Sequence, residues 1–277
     1  MSQFFTYFVS HFNRLKLKQL VATCYDASFS QLSLFDDYEE DGQVISKEKR
    51  AYKAVITQVS HETNLEELLL NPKNILEILS GNGDFASQEC VALMKEADVV
   101  VTNPPFSLFR VLLKLLMRLK KEFILLGSSQ AISYSEAFQW FQVKQLHLGV
   151  TPYPKALYFE VPEGTPFDKR EQGKCYKKVS IAWYTGFPIA LHPRSPCWTQ
   201  SFSELNLLKL DGTEIYNCDT LAEFPYDYEG KLAVPLTFLG YWNPESYHIL
   251  DKTEKVTING QEKYTRLIIQ KIKMKEE

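Results

Sequence analysis

A diproline near the middle of the chain fixes where one strand must end. Residues 97–102 read Ala-Asp-Val-Val-Val-Thr and lead directly into Asn103-Pro104-Pro105-Phe106. Proline has no backbone N–H and holds φ at about −65°, so it cannot continue a central strand. Ser107 follows and is well suited to cap a helix. The tetrapeptide is therefore predicted to form a rigid turn between a buried strand and a helix.

The segments around this turn alternate between strand and helix patterns. Apolar positions at helical spacing alternate with short β-rich runs, which predicts a mostly parallel sheet flanked by helices. The predicted helices cover residues 87–96, 107–121 (Leu108, Leu112, Leu115, Leu116 and Leu119 inward) and 134–141, and the predicted strands cover residues 99–102, 123–126 and 146–150. In such sheets ligands lie beyond the carboxyl ends of strands, where both Asp84 and Asn103 are predicted to fall.

The flanking regions carry weaker signals. Phe4, Phe8, Phe12 and Leu15 fall on one side of a predicted first helix. Strands are predicted at residues 18–25, 52–59, 156–161 and 179–185, and residues 65–79 fit either a helix broken at Pro72 or a strand. Asn259-Gly260 predicts a hairpin between residues 255–258 and 264–269.

A proline-rich stretch at residues 188–196 divides the chain in the sequence pattern. We therefore predict a catalytic domain over residues 1–188. Residues 189–277 then form a β-rich C-terminal region that is a candidate target-recognition part.

The bulk composition excludes several classes of protein. At 277 residues and 45% hydrophobic composition the chain can bury a full core. It has no apolar run of the roughly 20 residues that cross a bilayer, and its start lacks a signal-peptide pattern. Its 5 cysteines show no metal-ligand spacing, which fits reduced packing thiols. We expect a cytoplasmic protein without a metal site or a membrane partner.

The net charge of −3 argues against a globally cationic nucleic-acid coat but leaves local basic surface open. Two stretches are candidates for contact with DNA, and either can equally be a solvated face. The first stretch carries Lys169, Arg170, Lys174, Lys177 and Lys178. The second carries Lys252, Lys255, Lys263, Arg266, Lys271, Lys273 and Lys275.

The tetrapeptide has the chemistry needed to methylate a planar exocyclic amino group. The Asn103 side-chain carbonyl and the Pro104 backbone carbonyl can both accept hydrogen bonds from one NH2, which frees the nitrogen lone pair for attack. Phe106 offers a stacking face to a base that has left the duplex. The simpler alternative is a Pro-Pro turn that merely ends a strand.

Methyl transfer needs a donor, and the fold class suggests S-adenosylmethionine. Asp84 can accept a hydrogen bond from the adenine amino group of this cofactor, and Phe85 can stack on its adenine, although both also fit an ordinary turn. Thr23 and Tyr25, at the end of the first strand, complete the candidate cofactor set. That strand lacks the glycine-rich loop that usually lets the backbone approach this cofactor.

Several stretches together resemble the EcoRI-type adenine-specific DNA methyltransferases. The matching pieces span nearly the whole chain, and the middle ones are the most specific. They are residues 4–8, 20–23, 81–85 (Gly-Asn-Gly-Asp-Phe), 97–110, 131–134, 234–239, 243–245 and 264–269.

The resemblance implies a Rossmann-like fold that uses S-adenosylmethionine to methylate adenine in a short duplex site by base flipping. It places the target amino group at Asn103 and Pro104, the flipped base on Phe106, and the cofactor adenine at Asp84 and Phe85. Double-stranded DNA is the implied partner, and a restriction endonuclease would act on the same site without a stable complex. Three alternatives remain: N(4)-cytosine methylation, protein glutamine methylation, and a catalytically weak or silent DNA-binding relative.

Overall fold

The computed structural model describes residues 3–25, 51–60, 65–151, 155–188 and 198–272. The chain divides into two compact units, residues 1–124 and 125–277. Within the described ranges no helix is both long and apolar enough to cross a membrane. The predicted boundary between residues 188 and 189 adjoins a stretch outside the described residues and stays a prediction.

The first unit contains four helices and four complete strands among its described residues. The helices are α1 (Gln3–Ser10), α2 (Leu65–Leu69), α3 (Gln88–Glu96) and α4 (Phe106–Leu119). The strands are β1 (Leu20–Cys24), β2 (Tyr52–Ile56), β3 (Ile75–Ile78) and β4 (Val99–Thr102).

The first three strands form an antiparallel meander. Leu20 pairs with Ile56 and Cys24 with Tyr52, while Tyr52 also pairs with Ile78 on its other side. The α1 face that packs here contains Phe5 and Val9, together with Ile56. Of the predicted stripe, Phe12 is buried in this cluster, whereas Phe4 and Phe8 are half-buried and Leu15 is exposed, because Phe5 and Val9 take the buried positions of α1.

Helix α4 follows directly from the diproline and is anchored by a row of buried side chains, Phe109, Leu112, Leu113 and Leu116. It ends at Lys120, whose left-handed conformation lets its N–H bond to the carbonyls of the last turn. The predicted span is confirmed, but the predicted inward position of Leu108 is wrong. The helix begins at Phe106, so Phe109 takes the inward position and Leu108 is exposed.

The second unit begins within β5 and is rich in strands. Its larger elements are β5 (Glu122–Ser128), α5 (Ser135–Gln142), β6 (His147–Leu148), β7 (Lys155–Val161), β8 (Lys169–Glu171) and β9 (Lys174–Thr185). These are followed by β10 (Leu208–Lys209), β11 (Tyr216–Asn217), β12 (Lys231–Pro235), β13 (Tyr247–Thr253), β14 (Val256–Ile258), β15 (Gln261–Lys263) and β16 (Arg266–Lys271).

Strand β9 organises the first part of this unit. It lies between β5 and β6, and β7 and β8 also pair with it. Its inner half is core, since Ile181, Ala182, Tyr184 and Thr185 are all buried. The Tyr184 hydroxyl donates to the Ser128 carbonyl at 2.8 Å, which fixes the end of β5 against β9.

The C-terminal part is a five-stranded sheet in the order β10-β11-β12-β16-β13. Beside it, Asn259-Gly260 closes the β14–β15 hairpin, and the Asp211 carboxylate accepts both turn N–H groups at 2.9 Å. The predicted turn is confirmed, but its second strand is wrong. Residues 261–263 pair with β14, whereas residues 266–271 join the larger sheet between β12 and β13.

The expected α/β class with a β-rich C-terminal region is confirmed. The expectation of a mostly parallel sheet is wrong for these strands. Among the pairings whose register is established, β11 with β12 is parallel and the others are antiparallel. The reason lies in the connections, since meanders and tight hairpins join antiparallel neighbours without a helical crossover.

The cysteines among the described residues fit the prediction of packing thiols. Cys90, Cys175 and Cys218 are buried and Cys24 is half-buried, all as free thiols. Burial raises the pKa of Cys218 to about 12, so this thiol stays protonated. Cys197 lies outside the described residues.

A charged network ties the start of β16 to the segment after β11. Arg266 is only 6% exposed; its guanidinium donates to Asn217 and to Asp219, each at 2.9 Å. Lys263 contacts the second oxygen of Asp219 at 3.2 Å. Partial burial raises the pKa of Asp219, but hydrogen bonds from its three neighbours outweigh it and leave that pKa below its ordinary value.

Replacing Asp219 by alanine leaves the buried Arg266 guanidinium without its anion. We expect the free energy of unfolding to fall by about 1–3 kcal/mol, the usual cost of orphaning a buried charged donor. Lys263→Ala is the matched control, because it removes a more exposed partner of the same carboxylate and should cost less than about 1 kcal/mol. Urea unfolding followed by circular dichroism measures both, and equal losses would contradict a dominant role for Arg266.

Candidate active site

The tetrapeptide forms an anchored turn with open sides. Pro104 is buried, while Asn103, Pro105 and Phe106 are exposed. Pro105 is the N-cap of α4, with φ −50° and ψ 136°. The turn is therefore held at one proline, and the side chains on both sides of that proline are accessible.

The acceptors that the sequence singled out have no competing donors among the described residues. The Asn103 side chain makes no hydrogen bond there, and neither does the Pro104 carbonyl. The Pro105 carbonyl, by contrast, already accepts the Leu108 N–H at 2.9 Å. Phe106 starts the helix with 39% of its surface exposed. The geometry leaves two oxygen acceptors and one ring for a ligand.

One glycine brings the loop that contains Asp84 and Phe85 to the end of β1. Gly83 has φ 76°, and a Cβ at this position would lie 2.4 Å from the Cys24 carbonyl oxygen. Only glycine allows so close an approach of two backbones. The residue before Asp84 therefore contacts Cys24, which lies between Thr23 and Tyr25 in the chain.

The loop itself is shaped by short hydrogen bonds. The Asn82 side chain accepts from the Asp84 N–H at 3.0 Å, and one Asp84 oxygen accepts from the Ala86 N–H at 2.8 Å. The second Asp84 oxygen has no hydrogen bond among the described residues. Thr23 and Tyr25 share the exposed side of β1, and Phe85 is half-buried.

The loop at residues 81–85 and the end of β1, which together we call the pocket edge, carry groups that can contact a cofactor. A free carboxylate oxygen, a half-buried phenyl ring and exposed residues at a strand end suit an adenosine. Gly81 has open space around its α-carbon, so its backbone is approachable. The loop that contacts β1 therefore carries glycines, whereas the first strand has none. No cluster of three or more metal-ligating side chains occurs among the described residues.

The expectation that Asp84 and Asn103 follow strands of one parallel sheet is wrong. Asp84 lies beyond β3, which pairs antiparallel with β2, whereas Asn103 follows β4, which is not a member of the β1–β2–β3 sheet. The two candidate groups therefore follow strands that belong to separate sheets.

The first basic stretch forms part of a ribbon, which we define as β7, β8 and residues 174–180 of β9. Three of the five predicted cations are ion-paired, Lys169 with Glu171 and Lys174 with Glu160 inside the ribbon, and Arg170 with Glu163 in the loop after β7. The bond to Glu171 raises the pKa of Lys169. Lys177 and Lys178 are exposed, and neither ammonium has an ion partner among the described residues.

The described cations of the second basic stretch are engaged within the fold. Lys252 and Lys271 donate to backbone carbonyls, Lys255 pairs with Glu262, and Lys263 and Arg266 share Asp219. Lys273 and Lys275 lie outside the described residues. The first stretch thus keeps more charge available for a partner than the second.

Sequence reasoning missed two features that matter here. In the sequence Gly83 appears only within the Gly-Asn-Gly-Asp-Phe stretch, because its role depends on a contact with β1 that no local pattern reveals. The aromatic side chains that flank the ribbon lysines, Tyr158, Phe159 and Tyr176, were also missed. Their alternation with lysine along the paired strands is a signal that a search for mixed aromatic and basic strands would detect.

Comparison with known proteins defines the class. The chain is similar to the Type II methyltransferase M.MgeORF184P of Mycoplasma genitalium, with 31% identity over 303 residues that cover 98% of this chain and 84% of the relative. It is 29% identical to the Type II methyltransferase M.EcoRI of Escherichia coli, over 97% of this chain and 82% of that protein. The Mycoplasma pneumoniae Type II methyltransferase M.MpnI is 34% identical over 68% of this chain and 62% of its own length.

The family model described as adenine-specific methyltransferase EcoRI matches residues 1–277, so the chain belongs to that family. It is an adenine-specific DNA methyltransferase of the restriction–modification class. No solved structure gives a significant match.

Gly83→Ala tests the close approach that assembles the pocket edge. The added Cβ clashes with the Cys24 carbonyl and strains a positive φ, so we expect a loss of about 1–3 kcal/mol in unfolding free energy. Gly81→Ala is the matched control in the same loop, where an added Cβ meets nothing within 4 Å. If both variants unfold at the same urea concentration, the Gly83 contact does not hold the loop.

Proposed function

We propose that the protein transfers a methyl group from S-adenosylmethionine to the exocyclic amino group of adenine at a specific duplex site. The target base leaves the helix before reaction, because its amino nitrogen is not accessible within the base stack. The observation that carries the proposal is the turn between β4 and α4. There an exposed asparagine and a proline carbonyl, neither of which has a hydrogen-bond partner in the described part of the chain, stand beside an exposed phenylalanine.

The turn acts by positioning. Asn103 Oδ1 and the Pro104 carbonyl each accept a hydrogen bond from the target amino group, which draws its nitrogen toward tetrahedral geometry. Phe106 stacks on the base and fixes its plane. Because Pro104 and Pro105 restrict the backbone, the two acceptors need no reorganisation during reaction. The amino proton is lost after methyl transfer, so no strong general base is required.

S-adenosylmethionine, when bound, supplies an electrophilic methyl group on a sulfonium. Asp84 would accept a hydrogen bond from its adenine amino group through the oxygen that Ala86 does not use. Phe85 would stack on the adenine, and Thr23 and Tyr25 would line the other side of the pocket edge. These assignments rest on the approach of the loop to β1 at Gly83.

The DNA interface proposed here includes Lys169, Arg170, Lys174, Lys177 and Lys178 on the ribbon. Lys177 and Lys178 are the main candidates for phosphate contact, since their charge is not compensated within the ribbon. Double-stranded DNA is the partner, and we propose the cytoplasm as the place of action. A cognate restriction endonuclease would act on the same site without forming a stable complex.

Asn103→Ala should lower methyl transfer by at least about 100-fold, the usual effect of removing one preorganised group that stabilises a transition state. The assay follows tritium from labelled cofactor into mixed-sequence duplex DNA. Ser107→Ala, at the exposed second residue of α4, is the control and should retain activity.

Unchanged activity in Asn103→Ala would refute the assignment of the turn. Nucleoside analysis of the labelled DNA separates the first alternative, because methylation of cytosine would give N(4)-methylcytosine instead of N(6)-methyladenine. Label found on protein glutamine and not on DNA would exclude a DNA substrate.

Asp84→Asn probes the cofactor side. The asparagine keeps the acceptor for the Ala86 N–H but puts an NH2 where the free carboxylate oxygen stands, so it faces the adenine amino group with a donor. We expect S-adenosylhomocysteine to bind about 10- to 100-fold more weakly by calorimetry. Equal affinity would contradict the role of Asp84. No binding to the wild-type protein at millimolar ligand would favour the catalytically silent relative.

A further inference from the structure

The ribbon carries exposed side chains on both of its faces, whereas a strand that packs against a core has at least one buried face. Side chains of consecutive residues in a strand point to opposite faces. Tyr158 and Phe159 are 46% and 39% exposed, and Lys177 and Lys178, which pair with them across β7 and β9, are also exposed. Solvent therefore reaches these positions of the ribbon from both sides, although Cys175 within the ribbon and the inner half of β9 are buried.

Charge is distributed in the same two-sided way. Lys178 lies across from Tyr158 on one face, and Lys177 lies across from Phe159 on the other. Among the described residues, each face therefore offers one lysine without an ion partner beside one exposed aromatic ring. Lys169, Arg170 and Lys174 are ion-paired instead, and Lys169, which pairs with Glu171, also lies 4.4 Å from the centre of the Tyr158 ring.

The tip of the ribbon is a two-residue turn with a free amide. Glu171 pairs with Lys174, and Gln172 and Gly173 between them have φ 49° and 79°, as in a type I′ hairpin. Gln172 is exposed, and its side chain has no hydrogen bond among the described residues. Glutamine is one of the two side chains that read adenine by a bidentate hydrogen bond in the major groove.

We propose that the ribbon is the element that reads the target sequence, entering the major groove tip first with Gln172 at the base edges. This inference rests on the proposed methylation of duplex DNA. Stacked sheets pack about 10 Å apart, so one sheet with its side chains is about as thick as that spacing. The major groove, about 12 Å wide, admits this thickness, whereas the minor groove, about 6 Å wide, does not. Tip-first entry sets the two ribbon faces against the two groove walls, so that Lys177 and Lys178 meet phosphates on opposite strands.

The test uses purified full-length protein and a duplex library with randomised sequence, in which methylated adenines are mapped by long-read sequencing. Gln172→Gly removes the side chain while suiting the positive φ of the turn. It should reduce discrimination at one base position by about 5- to 150-fold, because the preferred base loses its hydrogen bonds to the side chain. Asn259→Gly is the matched control, because Asn259 occupies the same place in the β14–β15 turn, with φ 51°. It should leave the site unchanged.

Lys177→Ala and Lys178→Ala should keep the site but weaken binding to all sequences, each reducing the salt slope of DNA affinity by about 0.9. Wild-type discrimination at every position in Gln172→Gly, and also in Gln172→Asn if the glycine variant is unfolded, would overturn the inference. A wild-type protein that methylates no duplex would instead overturn the proposed function itself.

Discussion

The proposed positioning of the target base depends on the stiffness of one turn. Pro104 and Pro105 end β4 and begin α4, and neither residue can shift its φ appreciably or donate a hydrogen bond. The helix that follows is locked by Phe109 and three buried leucines, so the turn cannot relax on that side. A flexible loop with the same side chains would have to order itself around each substrate, whereas here that ordering is complete on folding.

The second constraint is the glycine that closes the distance between two segments. Gly83 lets the loop after β3 meet the carbonyl at the end of β1, and it does so in a chain whose first strand carries no glycine of its own. In the proposed cofactor site, the backbone approach would come from this loop rather than from the first strand. The sequence of the first strand does not reveal it, because the contact joins two separated segments.

Sequence reasoning performs best where the chemistry is local. The strand, the diproline and the helix at residues 99–119 follow from proline geometry and leucine spacing, and the Asn259-Gly260 turn follows from its need for positive φ. It fails where pairing is decided at a distance. The antiparallel β1–β2–β3 meander, the exchange of hairpin partner after Gly260 and the outer half of β9 all depend on contacts between separated segments. The Lys174–Lys178 stretch is recognisable in the sequence only by its charge, because its strand partners are separated segments.

The most direct test of the turn is a crystal structure of the protein with S-adenosylhomocysteine and a duplex that contains its mapped site. The account predicts an extrahelical adenine stacked on Phe106. Its amino nitrogen should lie about 2.7–3.2 Å from both Asn103 Oδ1 and the Pro104 carbonyl oxygen. An adenine that remains stacked in the duplex, or whose amino group is held by other residues, would contradict it.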